Sequence, residues 1–95
     1  MTIDCSSVSS VDDFWNLYVS QDVVEGRSVF GRNFDALWDA LTGGGPGHPV
    51  DTDCIKLVGS RDLMLIDGGT FYNKLVSFSK DLEDCAYCEV AISLD

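Results

Sequence analysis

The alternation of apolar and polar residues divides the 95-residue chain into short strands and amphipathic helices. Residues 54–58 and 89–94 are short runs rich in β-branched residues, which predicts strands, and residues 1–5 fit a short edge strand. Apolar residues recur at helical spacing over residues 10–20 and 70–83, so each of these segments is predicted to be a helix.

A further helix is predicted in the middle of the chain. It begins after Asn33, which has the side chain of a helix N-cap, and ends at Gly43, where a run of glycines and Pro46 prevents continuation. At 100° per residue, four apolar side chains of this helix share one stripe: Phe34, Leu37, Trp38 and Leu41.

The order of these elements predicts how the strands pair. Helices separate successive strands, and such crossovers join parallel strands. Residues 21–32 are predicted to be a loop, whereas residues 60–67 fit either a short helix or an irregular apolar segment. We therefore expect one domain over residues 1–95 of the α/β class, with helices packed on a small three-stranded parallel sheet.

The middle helix carries two aspartates four residues apart on a second stripe. Asp35, Asp39 and Thr42 fall within about one sixth of a turn of each other, and like charges at this spacing cost a few tenths of a kcal/mol. The helix dipole favours Asp35 in the first turn, but Asp39 has no such help and no cation opposite it within the helix. By spacing alone, a plain solvated face also explains the pair.

The charge of the chain limits its partners. Sixteen acidic and six basic residues give a net charge of −10. This argues against direct binding of nucleic acid or an anionic membrane, since both require cations to neutralise phosphates. It suits a basic partner, although charge also serves solubility alone. The first residues resemble no signal peptide, so we expect a cytoplasmic protein with reduced cysteines.

The other reactive side chains do not assemble a predicted active site. Cys85 and Cys88 form a CxxC pair after a helix, the wrong end for a low-pKa redox thiol, and a zinc site would require a second pair. Cys5 and Cys54 are expected to be small buried side chains, and His48 is expected to be solvated in a mobile loop. We predict no cofactor, no metal and no enzymatic activity.

The segment FGRNFDALWDALTG, residues 30–43, resembles the signature of the barstar family, the intracellular inhibitors of secreted bacterial ribonucleases. The family pattern is an aromatic residue, Gly, any residue, Asn, an apolar residue, Asp-Ala-Leu-Trp-Asp and then Leu-Thr-Gly. Outside this run the resemblance is to the order of strands and helices. It implies that this chain binds a guanyl-specific, barnase-like ribonuclease one-to-one.

The resemblance also implies a mechanism in which the middle helix and the loop before it plug the enzyme's active site. Asp39 matches the residue that occupies the substrate phosphate site, since a carboxylate can be bound bidentately by an arginine. Asp35 matches a partner of an arginine at the rim. The implied partner-binding residues are Phe30, Gly31, Asn33, Asp35, Trp38, Asp39, Thr42 and Gly43.

Three features depart from the family pattern. Val29 and Gly44 stand where aromatic residues are expected, and the loop over residues 43–47 is rich in glycine. A family acid on the last helix aligns with Lys80, leaving Asp81 or Glu83 as substitutes. Two alternatives therefore stay open: a barstar-like module that binds a different basic protein as an antitoxin or regulator, and a thiol or zinc protein built on CxxC.

Overall fold

The computed structural model describes residues 1–86 and 88–95. In chain order, its strands and α-helices are β1 (Thr2–Asp4), α1 (Val11–Val19), α2 (Phe34–Gly43), β2 (Cys54–Val58), α3 (Thr70–Asp84) and β3 (Ala91–Leu94). Two 3-10 segments, Ser60–Leu65 and Asp67–Gly69, connect β2 to α3. None of the helices in these ranges is long and apolar enough to cross a membrane.

The three strands form one sheet in the order β1-β2-β3, and both pairs are parallel. Thr2 lies opposite Lys56, and Cys54 lies opposite Ala91. The predicted α/β architecture is confirmed. The last strand begins at Ala91 rather than at residue 89. Ala91 lies opposite Cys54, the first residue of β2, and donates its N–H to the carbonyl of Asp53.

The first helix is held at its start by reciprocal capping. The Ser10 hydroxyl accepts from the backbone N–H of Asp13 at 3.1 Å, as expected of an N-cap. In return, the Asp13 carboxylate accepts from the Ser9 hydroxyl at 2.7 Å and the Ser9 N–H at 3.2 Å. The hydrogen bonds from Ser9, and then those from Ser10, favour the ionised form and lower the pKa of Asp13.

Aromatic side chains fill the space between the helices. Trp15 of α1 is only 3% exposed and lies at the centre of the cluster. Its ring centroid lies 5.1 to 6.4 Å from those of five neighbours, mostly edge to face: Phe14, Tyr18, Phe30, Phe34 and Phe71. This cluster fixes α1, α2 and the start of α3 relative to one another.

The four cysteines have free thiols. Cys5 is completely buried, as predicted, and burial raises its pKa to about 11, with smaller contributions from the nearby charges of Asp4 and Asp62. Cys54 is only partly buried at the start of β2, so the prediction that it is a core residue is wrong. The first position of a strand lies at the rim of the sheet, where the helices cover it incompletely.

Candidate functional site

Asn33 fixes the start of α2 and the loop that precedes it. Its side-chain oxygen accepts from the N–H of Ala36 at 2.7 Å, and its side-chain nitrogen donates to the carbonyl of Gly31 at 3.2 Å. A Cβ at Gly31 would lie 3.1 Å from the Ala36 methyl, so the chain there has little room for a side chain. Gly31 and Asn33 therefore present backbone and amide groups in a fixed arrangement.

The other end of α2 is closed by backbone and side-chain donors. Gly44, with a φ of 70°, donates its N–H to the carbonyl of Asp39, which is the left-handed helix end that glycine favours. His48 Nδ1 lies 2.9 Å from the carbonyl of Ala40; a carbonyl only accepts, so Nδ1 carries the proton. The Cys88 thiol lies 3.6 Å from the carbonyl of Leu41. These contacts occupy acceptors that a helix end otherwise leaves open.

His48 is therefore not the solvated residue that the sequence predicted. It is half-buried and joined to the last turn of α2. The glycine-rich loop brings it back toward the helix, a contact that its neighbours Gly47 and Pro49 do not reveal in the sequence.

The two faces of α2 are separated as the sequence predicted. Leu37 and Leu41 are buried, and Phe34 and Trp38 are half-buried against α3, with Phe78 near both rings at 5.4 and 5.8 Å. Ala40 is also fully buried, and its small side chain gave no signal of this in the apolar pattern.

Both aspartates of α2 are exposed on the opposite side. Thr42 is half-buried, and its hydroxyl donates to the carbonyl of Trp38 at 2.7 Å, so its oxygen is left to accept from a partner. Gly43 is exposed, and a Cβ added there would meet no atom of the described neighbouring segments within 4 Å. Asp35, Asp39, Thr42 and Gly43 together form a surface that we call the acidic face of α2.

Phe30 was predicted to be a partner-binding residue, and the structure places it in the core with 6% of its surface exposed. Its ring packs against Tyr18 at 5.6 Å and Trp15 at 5.9 Å. It also covers Gly47, where a Cβ would lie 2.4 Å from a ring carbon. The Tyr18 hydroxyl donates to the carbonyl of Gly47 at 2.7 Å, and burial raises the pKa of that hydroxyl above its ordinary value.

The loops on either side of α2 are thus joined to each other in the core. Phe30 belongs to the loop before the helix and Gly47 to the loop after it, so their contact holds both in one position. Phe30 is a core residue that links the two loops, and its side chain offers little area to a partner.

A groove of about 650 Å³ runs between the start of α2 and one side of α3. Asp35 lines it from α2, while Asp81 lines it from α3. The remaining lining residues are Asn33, Phe34, Thr70, Asn73, Lys74, Ser77 and Phe78. The residues of α3 recur at helical spacing and form one stripe of that helix.

Comparison with known protein families agrees with this geometry. A family model described as "Barstar (barnase inhibitor)" matches residues 1–60, more than half of the chain. The chain belongs to the barstar family. A search among curated proteins found no significant match to the chain.

The barstar match covers β1, α1, α2 and β2, and so includes the acidic face, whereas α3 lies beyond it. The family is one of ribonuclease inhibitors, and the confirmed sheet agrees with its fold. Two aromatic positions of the barstar pattern are absent from the surface next to α2. Val29 is 70% exposed before the helix, and Gly44 is exposed after it.

The CxxC pair has no metal site around it within residues 1–86 and 88–95. No group of three or more His, Cys, Asp or Glu side chains in those ranges converges in a way that could hold an ion. Cys88 is instead oriented toward two backbone carbonyls, at 3.2 Å from that of Val90 and 3.6 Å from that of Leu41. This thiol therefore supports the end of α2.

Proposed function

We propose that this protein inhibits a secreted guanyl-specific, barnase-like ribonuclease, and that residues 1–95 act as a single barstar-like inhibitor domain. The observation that carries the proposal is the pair of exposed carboxylates, Asp35 and Asp39, on a helix whose two ends are held by hydrogen bonds. A preformed surface loses little conformational entropy on binding. The protein itself performs no catalysis and needs no cofactor.

In the proposed complex, one inhibitor molecule covers the active site of one enzyme molecule. Asp39 takes the position of the substrate phosphate, and Asp35 pairs with a cation at the rim. Both acids then meet cations of the enzyme, which offsets the repulsion between them in the free helix. The exposed parts of Gly31, Asn33, Trp38, Thr42 and Gly43 surround them and complete the contact.

The acid on α3 that takes part in this contact is proposed to be Asp81. Asp81 lines the groove beside Asp35, whereas Glu83 and Lys80 are not among its lining residues. A cation of the enzyme that approaches Asp35 would therefore meet a second carboxylate. The net charge of −10 would also speed the encounter with a basic enzyme. A cytoplasmic location would protect the producing cell from its own ribonuclease.

The test is to titrate the protein into a panel of purified guanyl-specific bacterial ribonucleases and to follow RNA cleavage. We expect stoichiometric inhibition, and an association rate that falls as salt is raised. Asp39→Ala should weaken inhibition most, by about 2–5 kcal/mol or more, on a scale taken from charge pairs measured in the barnase–barstar complex itself. Asp35→Ala should have a smaller effect.

Asp22→Ala is the matched control, since it removes an exposed carboxylate outside the acidic face. Its effect should be confined to a small change in association rate. Equal losses for Asp39→Ala and Asp22→Ala would contradict the proposed contact. Absence of inhibition across the panel would favour the second candidate, a barstar-like antitoxin or regulator of another basic protein. The observation that favours this candidate is that Val29 and Gly44 are exposed where the family has aromatic residues.

A further inference from the structure

Lys74 is a basic side chain in a groove otherwise suited to a cation. It lines the groove together with Asp35 and Asp81, and it is exposed. Basic side chains are scarce in this protein, whose 95 residues include only six lysines and arginines together. A positive charge at this place lowers the attraction of the groove for a partner cation, so its presence calls for a reason.

A close ion pair within the fold does not supply that reason. Among the described residues, a salt bridge joins Lys56 Nζ and Asp95 Oδ2 at 3.8 Å, whereas Lys74 has no carboxylate oxygen within 4.0 Å of its ammonium group. The positions three and four residues from Lys74 along α3 hold Thr70, Phe71, Ser77 and Phe78, so the helix provides no acidic neighbour either. Its ammonium group is left to interact with what enters the groove.

We propose that Lys74 is a specificity-determining residue that selects ribonucleases carrying a carboxylate beside the cation that enters this groove. Asp35 and Asp81 attract the cation, and Lys74 attracts the neighbouring acid. An enzyme whose rim is wholly basic meets Lys74 as a like charge and binds less tightly. Specificity of this kind depends on an unfavourable contact with the wrong partner as much as on a favourable contact with the right one.

This inference rests on the proposed function and is tested on the ribonuclease that the parent protein inhibits most strongly in the panel. Rim lysines, arginines and acids of that enzyme are changed one at a time to the opposite charge. Inhibition by the parent, by Lys74→Glu and by Arg61→Glu is then measured against each enzyme variant. Arg61→Glu is the control, because Arg61 is exposed, undergoes the same change of charge and does not line the groove.

We expect Lys74→Glu to reverse the preference at one rim position of the enzyme. The ratio of inhibition constants for acidic and basic side chains there should change by about tenfold, whereas Arg61→Glu should shift all enzyme variants by a common factor. Equal behaviour of the two inhibitor variants at every rim position would overturn the inference while leaving the proposed function intact. Failure of the parent protein to inhibit any ribonuclease would overturn both.

Discussion

Replacing Gly47 with alanine tests whether the two loops flanking α2 are held together from below. Gly47 has a φ of 92°, a value that residues with a Cβ rarely adopt. The added methyl carbon would lie 2.4 Å from one carbon of the Phe30 ring and 2.8 Å from the next. The ring cannot simply move away, because Trp15 and Tyr18 pack against its other sides.

The size of the expected effect follows from these two costs. An unfavourable backbone conformation costs about 1–3 kcal/mol, and overpacking of a filled core costs typically about 1–3 kcal/mol. Gly47→Ala should therefore lower the free energy of unfolding by roughly 2–6 kcal/mol. This is a large share of the total stability of such a domain, which is about 5–15 kcal/mol. Since each kcal/mol lowers the melting temperature of a domain of this size by about 4–8 °C, that temperature should fall by at least about 8 °C.

The assay is urea unfolding followed by circular dichroism and by tryptophan fluorescence, which reports on the buried Trp15 and the half-buried Trp38 together. Gly43→Ala is the control, since a Cβ at Gly43 meets no atom within 4 Å and φ is not positive there. Its free energy of unfolding should change by less than about 1 kcal/mol. An unfolding midpoint unchanged by Gly47→Ala would refute the argument that Phe30 and Gly47 lock the two loops.

Two further predictions concern titrating groups. Because its hydrogen bonds lower the pKa of Asp13 in the folded protein from 3.8, its contribution to stability is present above that value and is lost as the pH falls through the folded pKa. Asp13→Asn should thus lower the free energy of unfolding at pH 6. The difference in free energy of unfolding between variant and parent should shrink as the pH falls, and a constant difference down to pH 2 would contradict this account. Cys5, with its pKa raised to about 11, should react with a thiol reagent at pH 8 far more slowly than the other three cysteines, until denaturant exposes it. Four thiols reacting at one rate in the folded protein would contradict its burial.

Local signals in the sequence predicted the elements that carry the acidic face. Asn33 and the glycines after Thr42 mark the ends of α2, because capping and termination depend on the chemistry of single side chains. The separation of Asp35 and Asp39 from the apolar stripe follows from helix geometry alone. The family signature then supplied a function that no spacing argument contained.

Contacts between distant segments were beyond such signals. The hydrogen bond from His48 to Ala40, the burial of Phe30 over Gly47 and the groove that joins Asp35 to Asp81 each bring together residues of different elements. The residues between β2 and α3 were ambiguous for a related reason. They form short 3-10 turns, which lack a hydrophobic period long enough to recognise.

The sheet topology has a consequence for when the protein can act. β1 precedes β2 in the chain, and β2 is its strand partner among the described residues. β2 receives its second neighbour only when β3, which follows α3, has emerged. Phe34 of α2 also packs against Phe71 and Phe78 of α3. A nascent chain that already contains the acidic helix therefore lacks the support that holds it in place. If the protein acts as proposed, a cell that relied on it would need finished molecules in store before the ribonuclease appeared.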